Sequence, residues 1–77
     1  MKYTLEILAS GGLNNFIKIS STLKRKQYKI THLTLDLLHS DQFHMEVSFI
    51  TDYGCLSKAI RLIKKNEDVY EIIEKME

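Results

Sequence analysis

Proline is absent from this chain, glycine occurs three times and cysteine once. With no proline and no low-complexity tract, no segment reads as a linker and the whole chain reads as ordered. The lone cysteine, Cys55, cannot form an internal disulfide and fits a reducing, cytoplasmic setting. An excess of one charge is missing too. Eleven Lys and Arg face ten Asp and Glu, a net +1, far from the strongly basic balance of a dedicated nucleic-acid binder. No run reaches the ~18 apolar residues of a membrane span. The start, charged at Lys2 and alternating from Tyr3 onward, does not fit a signal peptide. These absences point to a cytoplasmic domain that engages neither membrane nor nucleic acid.

What is present suits one small globular domain over residues 1–77, with 44% hydrophobic and 27% charged residues. A chain of this size buries only about 60–65% of its unfolded surface, so self-association is a natural way to bury more. Tyr3, Leu5, Ile7 and Ala9 alternate with polar neighbours as a half-buried strand does, apart from Leu8. Ser10 to Asn15 is a loop, with Asn14 or Asn15 suited to cap a helix whose apolar positions are Phe16, Ile19 and Leu23. Lys24-Arg25-Lys26 falls where that helix ends and complements its dipole.

A second strand carries Ile30, Leu33, Leu35 and Leu37, with an irregularity at Thr31-His32 that marks a bulge. The polar turn His39–Gln42 leads into a third strand, Phe43 to Phe49, so strands two and three form a hairpin. Asp52 caps a second helix with the stripe Leu56, Ala59, Ile60 and Ile63, ending near Lys64-Lys65-Asn66. The β-branched tail Val69–Ile73 favours a fourth strand, although Ile72, Ile73 and Met76 also fit helical spacing. The expected class is α+β, a ferredoxin-like βαββαβ domain. It is a four-stranded antiparallel sheet in the order 4-1-3-2 with two helices on one face and strand two at an edge.

Catalytic and metal chemistry find no constellation here. The loop after strand one holds no arginine to grip a phosphate and no Cys-x-x-Cys to hold a metal. Strand three has no glycine and carries Glu46 at its centre, and Phe43 and Phe49 share the face of Val47, which reads as core rather than an RNA-stacking surface. His32 and His44 lack a carboxylate or cysteine at ligand spacing and read as exposed strand residues. Cys55, near a helix start, reads as a small helix residue. The Lys24–Lys26 run and the acidic residues near the far end read as solvated charge. That leaves Gly11, Gly12, Leu13, Asn14 and Asn15. Two glycines free backbone amides to turn toward a small carboxylate at a helix start. From chemistry alone, a plain strand-to-helix connection with a good cap outranks a ligand site.

The run Asn14 to Leu35 resembles the first helix and second strand of an ACT domain. Within it, Arg25-Lys26-Gln27-Tyr28 followed by Ile30-x-x-Leu33-Thr34-Leu35 is similar to the regulatory (small) subunit of acetolactate synthase, where an arginine-glycine-tyrosine corner leads into an isoleucine-x-x-leucine-threonine strand. Asp68-Val69 also fits the family's last strand, which supports a strand at the tail. The likeness spans nearly the whole chain and is to the short, one-domain type.

That resemblance implies a non-catalytic homodimer paired edge to edge through strand two, with Lys29, Thr31 and Leu33 at the interface. It implies that a branched-chain amino acid, chiefly valine, binds between Gly11, Gly12, Leu13, Asn14 and Asn15 of one copy and Lys29 and Ile30 of the other. It implies a partner, the acetolactate synthase large subunit, which holds thiamine diphosphate, magnesium and FAD, while this chain holds no cofactor or metal of its own. The chain departs from the family at Asn14, where a glycine is usual, and at Gly11 and Lys29, where asparagines are. The alternative is a stand-alone ACT-like domain sensing an amino acid for another enzyme.

Overall fold

The structure is a computed structural model that describes residues 2–76, so Met1 and Glu77 lie outside it. Six elements follow one another: β1 (Lys2–Ala9), α1 (Gly12–Arg25), β2 (Lys29–Leu37), β3 (Phe43–Ile50), α2 (Tyr53–Lys64) and β4 (Val69–Met76). Period-two alternation sends Tyr3, Leu5, Ile7 and Ala9 of β1 to one face, and Phe43, Met45, Val47 and Phe49 of β3 to the same face. β1 and β3 pair antiparallel at the sheet centre, with Leu5 opposite Val47 and Ile7 opposite Met45. Ile19 and Leu23 of α1, and Leu56, Ala59 and Ile63 of α2, close over these side chains in one core, so both helices cover one face. Fully burying each of these aliphatic side chains contributes roughly 1.5–3 kcal/mol. The sheet order is β2-β3-β1-β4 with every pair antiparallel, the ferredoxin-like topology that the alternation predicts.

β2 bulges where the sequence loses its period. Ile30 faces Phe49 and His32 faces Ser48, which leaves Thr31 as the extra residue. Its hydroxyl donates to the Ser48 carbonyl at 3.3 Å. The ambiguous tail is a strand running to Met76, longer than Val69–Ile73, because β1 offers it a second edge on which Ile72 lies opposite Ile7. On the uncovered sheet face, Thr4 and Ser48 are buried and share a 2.8 Å hydroxyl hydrogen bond, so neither is left unsatisfied.

One local expectation is corrected. Neither Asn14 nor Asn15 caps α1. The helix starts at Gly12, with Gly11 as its N-cap, and no side chain caps it. The reason is the glycine pair, whose left-handed φ values of 98° and 61° turn the chain into the helix earlier than an asparagine cap would. Asn15 then sits one turn in, on the buried face of α1.

At its other end α1 stops in a left-handed residue, Gln27, at φ 66°. The Tyr28 amide reaches the Leu23 carbonyl at 3.3 Å and the Gln27 amide reaches the Lys24 carbonyl at 3.0 Å, the paired bonds of a Schellman stop. Tyr28 then turns inward, stacks edge-on against Phe49 and donates its hydroxyl to the Cys55 carbonyl at 3.1 Å. Burial raises the Tyr28 phenol above its usual pKa.

Candidate functional site

The loop between β1 and α1 is held from two sides. The Gly12 amide donates to the Asp41 carbonyl at 2.8 Å, tying the loop to the β2–β3 turn. Asn15 ties it to the connection between α2 and β4, which runs along its other side. Its amide nitrogen donates to the Ser10 carbonyl at 2.7 Å and to Asn66 Oδ1 at 3.3 Å, and Asn66 Nδ2 donates back to Asn15 Oδ1 at 2.6 Å. Asn66 Oδ1 also accepts from the Asp68 amide at 3.0 Å. This reciprocal amide clamp joins the start of α1 to the connection between α2 and β4, 51 residues away. Gly11 is part of the same fit, since a Cβ there would lie 2.7 Å from Asn15 Cβ. A Cβ at Gly12 would meet nothing within 4 Å, so its φ alone favours glycine.

Of the five loop residues singled out in sequence, Asn15 is therefore buried and committed to the clamp. Leu13 and Asn14 are exposed, Leu13 by 51%. The first amides of any helix lack intrahelical partners. Here no side chain caps them and no acidic residue occupies the first turn. Such a turn can receive an anionic oxygen.

Lys29 and Ile30 are not near this loop within one chain. Lys29 pairs with Ile50, whereas Leu37, at the other end of β2, pairs with Phe43, the residue opposite Ala9. At about 3.3 Å per residue, the two ends of β2 lie roughly 26 Å apart. β2 is an edge strand, so its outer backbone groups have no strand beside them. Its neighbourhood is apolar: Leu33 and Leu37 are 40% and 63% exposed on β2, and Ile17 of α1 is half exposed like Leu13. α1 packs beside β2. Lys18 and Thr22 of α1 point toward α2, and at 100° per residue Leu13 lies on the opposite flank, the one over β2.

The other sequence candidates are scattered. His32 lies level with Ser48 while His44 is four residues further along β3, roughly 13 Å away at strand spacing. Among the described residues, no three His, Cys, Asp or Glu side chains converge as metal ligands would. His44 Nε2 lies 3.3 Å from Glu6 Oε1, and its Nδ1 lies 3.8 Å from Asp36. Lys75 reaches Glu6 at 2.8 Å. The hydrogen bond from Lys75 first, and that from His44 after it, lowers the Glu6 pKa, and Glu6 in turn raises that of Lys75. Glu6 and His44 are half-buried in this polar cluster on the uncovered sheet face, while Lys75 and Asp36 are exposed, so solvent screens the charges and the cluster contributes little to stability. Cys55 is half-buried, with its amide bonded to Asp52 at 2.8 Å.

Asn66 and Asp41 are the site residues that sequence reasoning missed. Asn66 had only a weak signal, an asparagine following a helix, and nothing local connects it to Asn15. Asp41 contributes only its carbonyl, which no residue type announces.

No family model matches the sequence, and no curated protein matches it. Solved structures match it in fold. The ACT domain of GTP pyrophosphokinase from Chlorobium tepidum superimposes with a TM-score of 0.84 at 12% identity, covering 97% of both chains. The acetolactate synthase small subunit from Thermotoga maritima superimposes with a TM-score of 0.83 at 11% identity over 96% of this chain, which spans 47% of that subunit. The regulatory subunit of aspartate kinase from Thermus thermophilus gives 0.73 at 9% identity, covering 96% of this chain and 50% of that one. The fold is that of ACT domains, found here in regulatory subunits and in a domain of a larger enzyme. No helix among the described residues is long and apolar enough to cross a membrane.

Proposed function

We propose that this chain is a non-catalytic regulatory subunit of acetolactate synthase that pairs with a second copy through β2 and binds an amino acid at the uncapped start of α1. The observation that carries the reading is that this open helix start lies at one end of a free, apolar-flanked edge strand. Two copies of β2 paired antiparallel about a two-fold axis would lengthen the sheet to eight strands and cover Leu13, Ile17, Leu33 and Leu37. The same pairing resolves the separation of the candidate residues. Lys29 and Ile30 of the second copy would come beside Leu37 of the first, at the end of the sheet that holds Gly11 to Asn14. The amino acid's carboxylate would then lie on the Leu13 and Asn14 amides, near the Lys29 ammonium, with Leu13 and Ile30 against its side chain. Thiamine diphosphate, magnesium and FAD belong to the large subunit in this reading.

Reconstitution tests it. Adding this chain to the acetolactate synthase large subunit of the same organism should raise activity and cofactor retention, and valine should alter the effect. No change in either quantity would sink the proposal. A stand-alone amino-acid sensor is a second reading, and it rests on the same uncapped start of α1. Calorimetry of the isolated chain against the twenty amino acids separates the two, since a sensor must bind one of them on its own.

A further inference from the structure

The net charge of +1 conceals a sorting of charge between the two layers of the fold. α1 and its C-cap carry Lys18, Lys24, Arg25 and Lys26, and α2 and its C-cap carry Lys58, Arg61, Lys64 and Lys65. Eight of the eleven cationic side chains therefore lie on the helix layer, and residues 12–26 and 53–65 contain no Asp or Glu. The helix dipole accounts for the basic residues in the last turns. It does not account for Lys18 and Lys58. It also favours acidic residues in the first turns, and neither helix has one there. Among the described residues, the contacts of Glu6 with His44 and Lys75 and of Asp36 with His44 lie on the opposite, uncovered sheet face.

At the centre of this basic layer the helices part. A half-open cavity of about 190 Å³ lies between the middle of α1 and the last turn of α2, with Ile19, Leu62 and Ile63 among its walls and Lys18 and Lys65 at its rim. The volume is below the roughly 300–1,000 Å³ of small-molecule pockets and suits one aliphatic side chain. Its wall also includes Asn66, one half of the clamp that fixes the start of α1.

From this combination we infer that the helix layer is a docking surface for an acidic segment of a partner protein, which inserts one aliphatic side chain between α1 and α2 while flanking carboxylates meet Lys18 and Lys65. Apolar anchors in small pockets with a charged rim are how such interfaces divide affinity from steering. A nucleic acid fits less well, because the phosphate backbone has nothing to fill an apolar cavity and the exposed helix surface offers no aromatic ring for base stacking among the side chains that the structure describes. The surface is separate from the β2 edge and adjoins the start of α1 through Asn66, and peptide binding to it is read without reference to any effect on an enzyme.

The test is an NMR titration of the ¹⁵N-labelled full chain with a capped peptide, Glu-Glu-Leu-Glu-Glu. The amide signals of Lys18, Thr22, Leu62 and Lys65 should move saturably, and less so as salt is raised. The same peptide with glycine for leucine should bind on the order of tenfold more weakly, the loss expected for one buried aliphatic side chain. The K18E/K65E double variant, changed only at exposed positions, should keep its unfolding midpoint and lose the interaction. Absence of saturable shifts would overturn the inference. So would equal binding of the leucine and glycine peptides, which would mean charge alone, or tighter binding of single-stranded oligouridine than of the peptide. A chain that activates the large subunit yet ignores the peptide would leave the regulatory proposal standing and remove this surface.

Discussion

The two helices begin in opposite ways. α2 supplies its own anion: Asp52, in extended backbone, accepts the Cys55 amide at 2.8 Å. α1 begins on Gly11 in left-handed backbone, with no side-chain cap and no acidic residue in its first turn. Both starts carry the same partial positive charge from the helix dipole, and only one is neutralised from within the chain. The difference is not a lapse in folding. The α1 start is anchored by other means, the Asn15–Asn66 clamp and the Gly12–Asp41 bond, which hold the loop without occupying its outward amides. A helix start can thus be positioned rigidly and still be left open to a ligand.

The largest effect should come from breaking the open start itself. Gly11→Ala places a Cβ 2.7 Å from Asn15 Cβ in left-handed backbone, and urea denaturation should show a loss of roughly 2–4 kcal/mol. Next comes the clamp. Asn15→Ala and Asn66→Ala should each cost about 1–3 kcal/mol by removing the reciprocal hydrogen bonds between a buried and a half-buried amide, and the double variant should cost less than the two together. Additive losses would show that the two side chains act separately. Gly12→Ala meets no neighbour and should lose only about 1 kcal/mol, from its φ.

The smallest effect should be at the closed start. Asp52→Ala should lower the unfolding midpoint less than Gly11→Ala does, and Asp52→Asn should restore most of it, because asparagine caps as well. Hydrogen bonds from the Cys55 backbone amide first, and from the Cys55 side chain after it, hold the Asp52 carboxyl below its ordinary pKa. Its stabilisation is therefore present above the unfolded aspartate value and lost as pH falls through the lowered one. The gap between wild type and Asp52→Ala should narrow over that acid range and stay constant near neutrality. The comparison also has a repair at the other end of α1: Gln27→Gly removes a side chain from left-handed backbone and should stabilise by about 1 kcal/mol.

Local pattern made most of the fold legible. Alternation in Tyr3–Ala9 and Phe43–Phe49 set which side chains face inward, because a pleated strand has no other way to send them. Asp52 announced α2, since an aspartate before an apolar stripe can satisfy the first amides by itself. The broken period at Thr31 announced the bulge. The start of α1 was misread because asparagine is a good cap in isolation, and its preference was overridden by a partner beyond local reach. The tail hovered between helix and strand until β1 offered it an edge.

What the sequence by itself determined, then, is the inventory of elements and their inward faces, since both follow from periodicity and from residues acting on their immediate neighbours. Tertiary structure alone decided two things: that Asn15 meets Asn66, and that eight cations share one layer. Each depends on which segments the topology brings side by side. Such contacts are set by the burial of the whole core, and no stretch of chain records them locally.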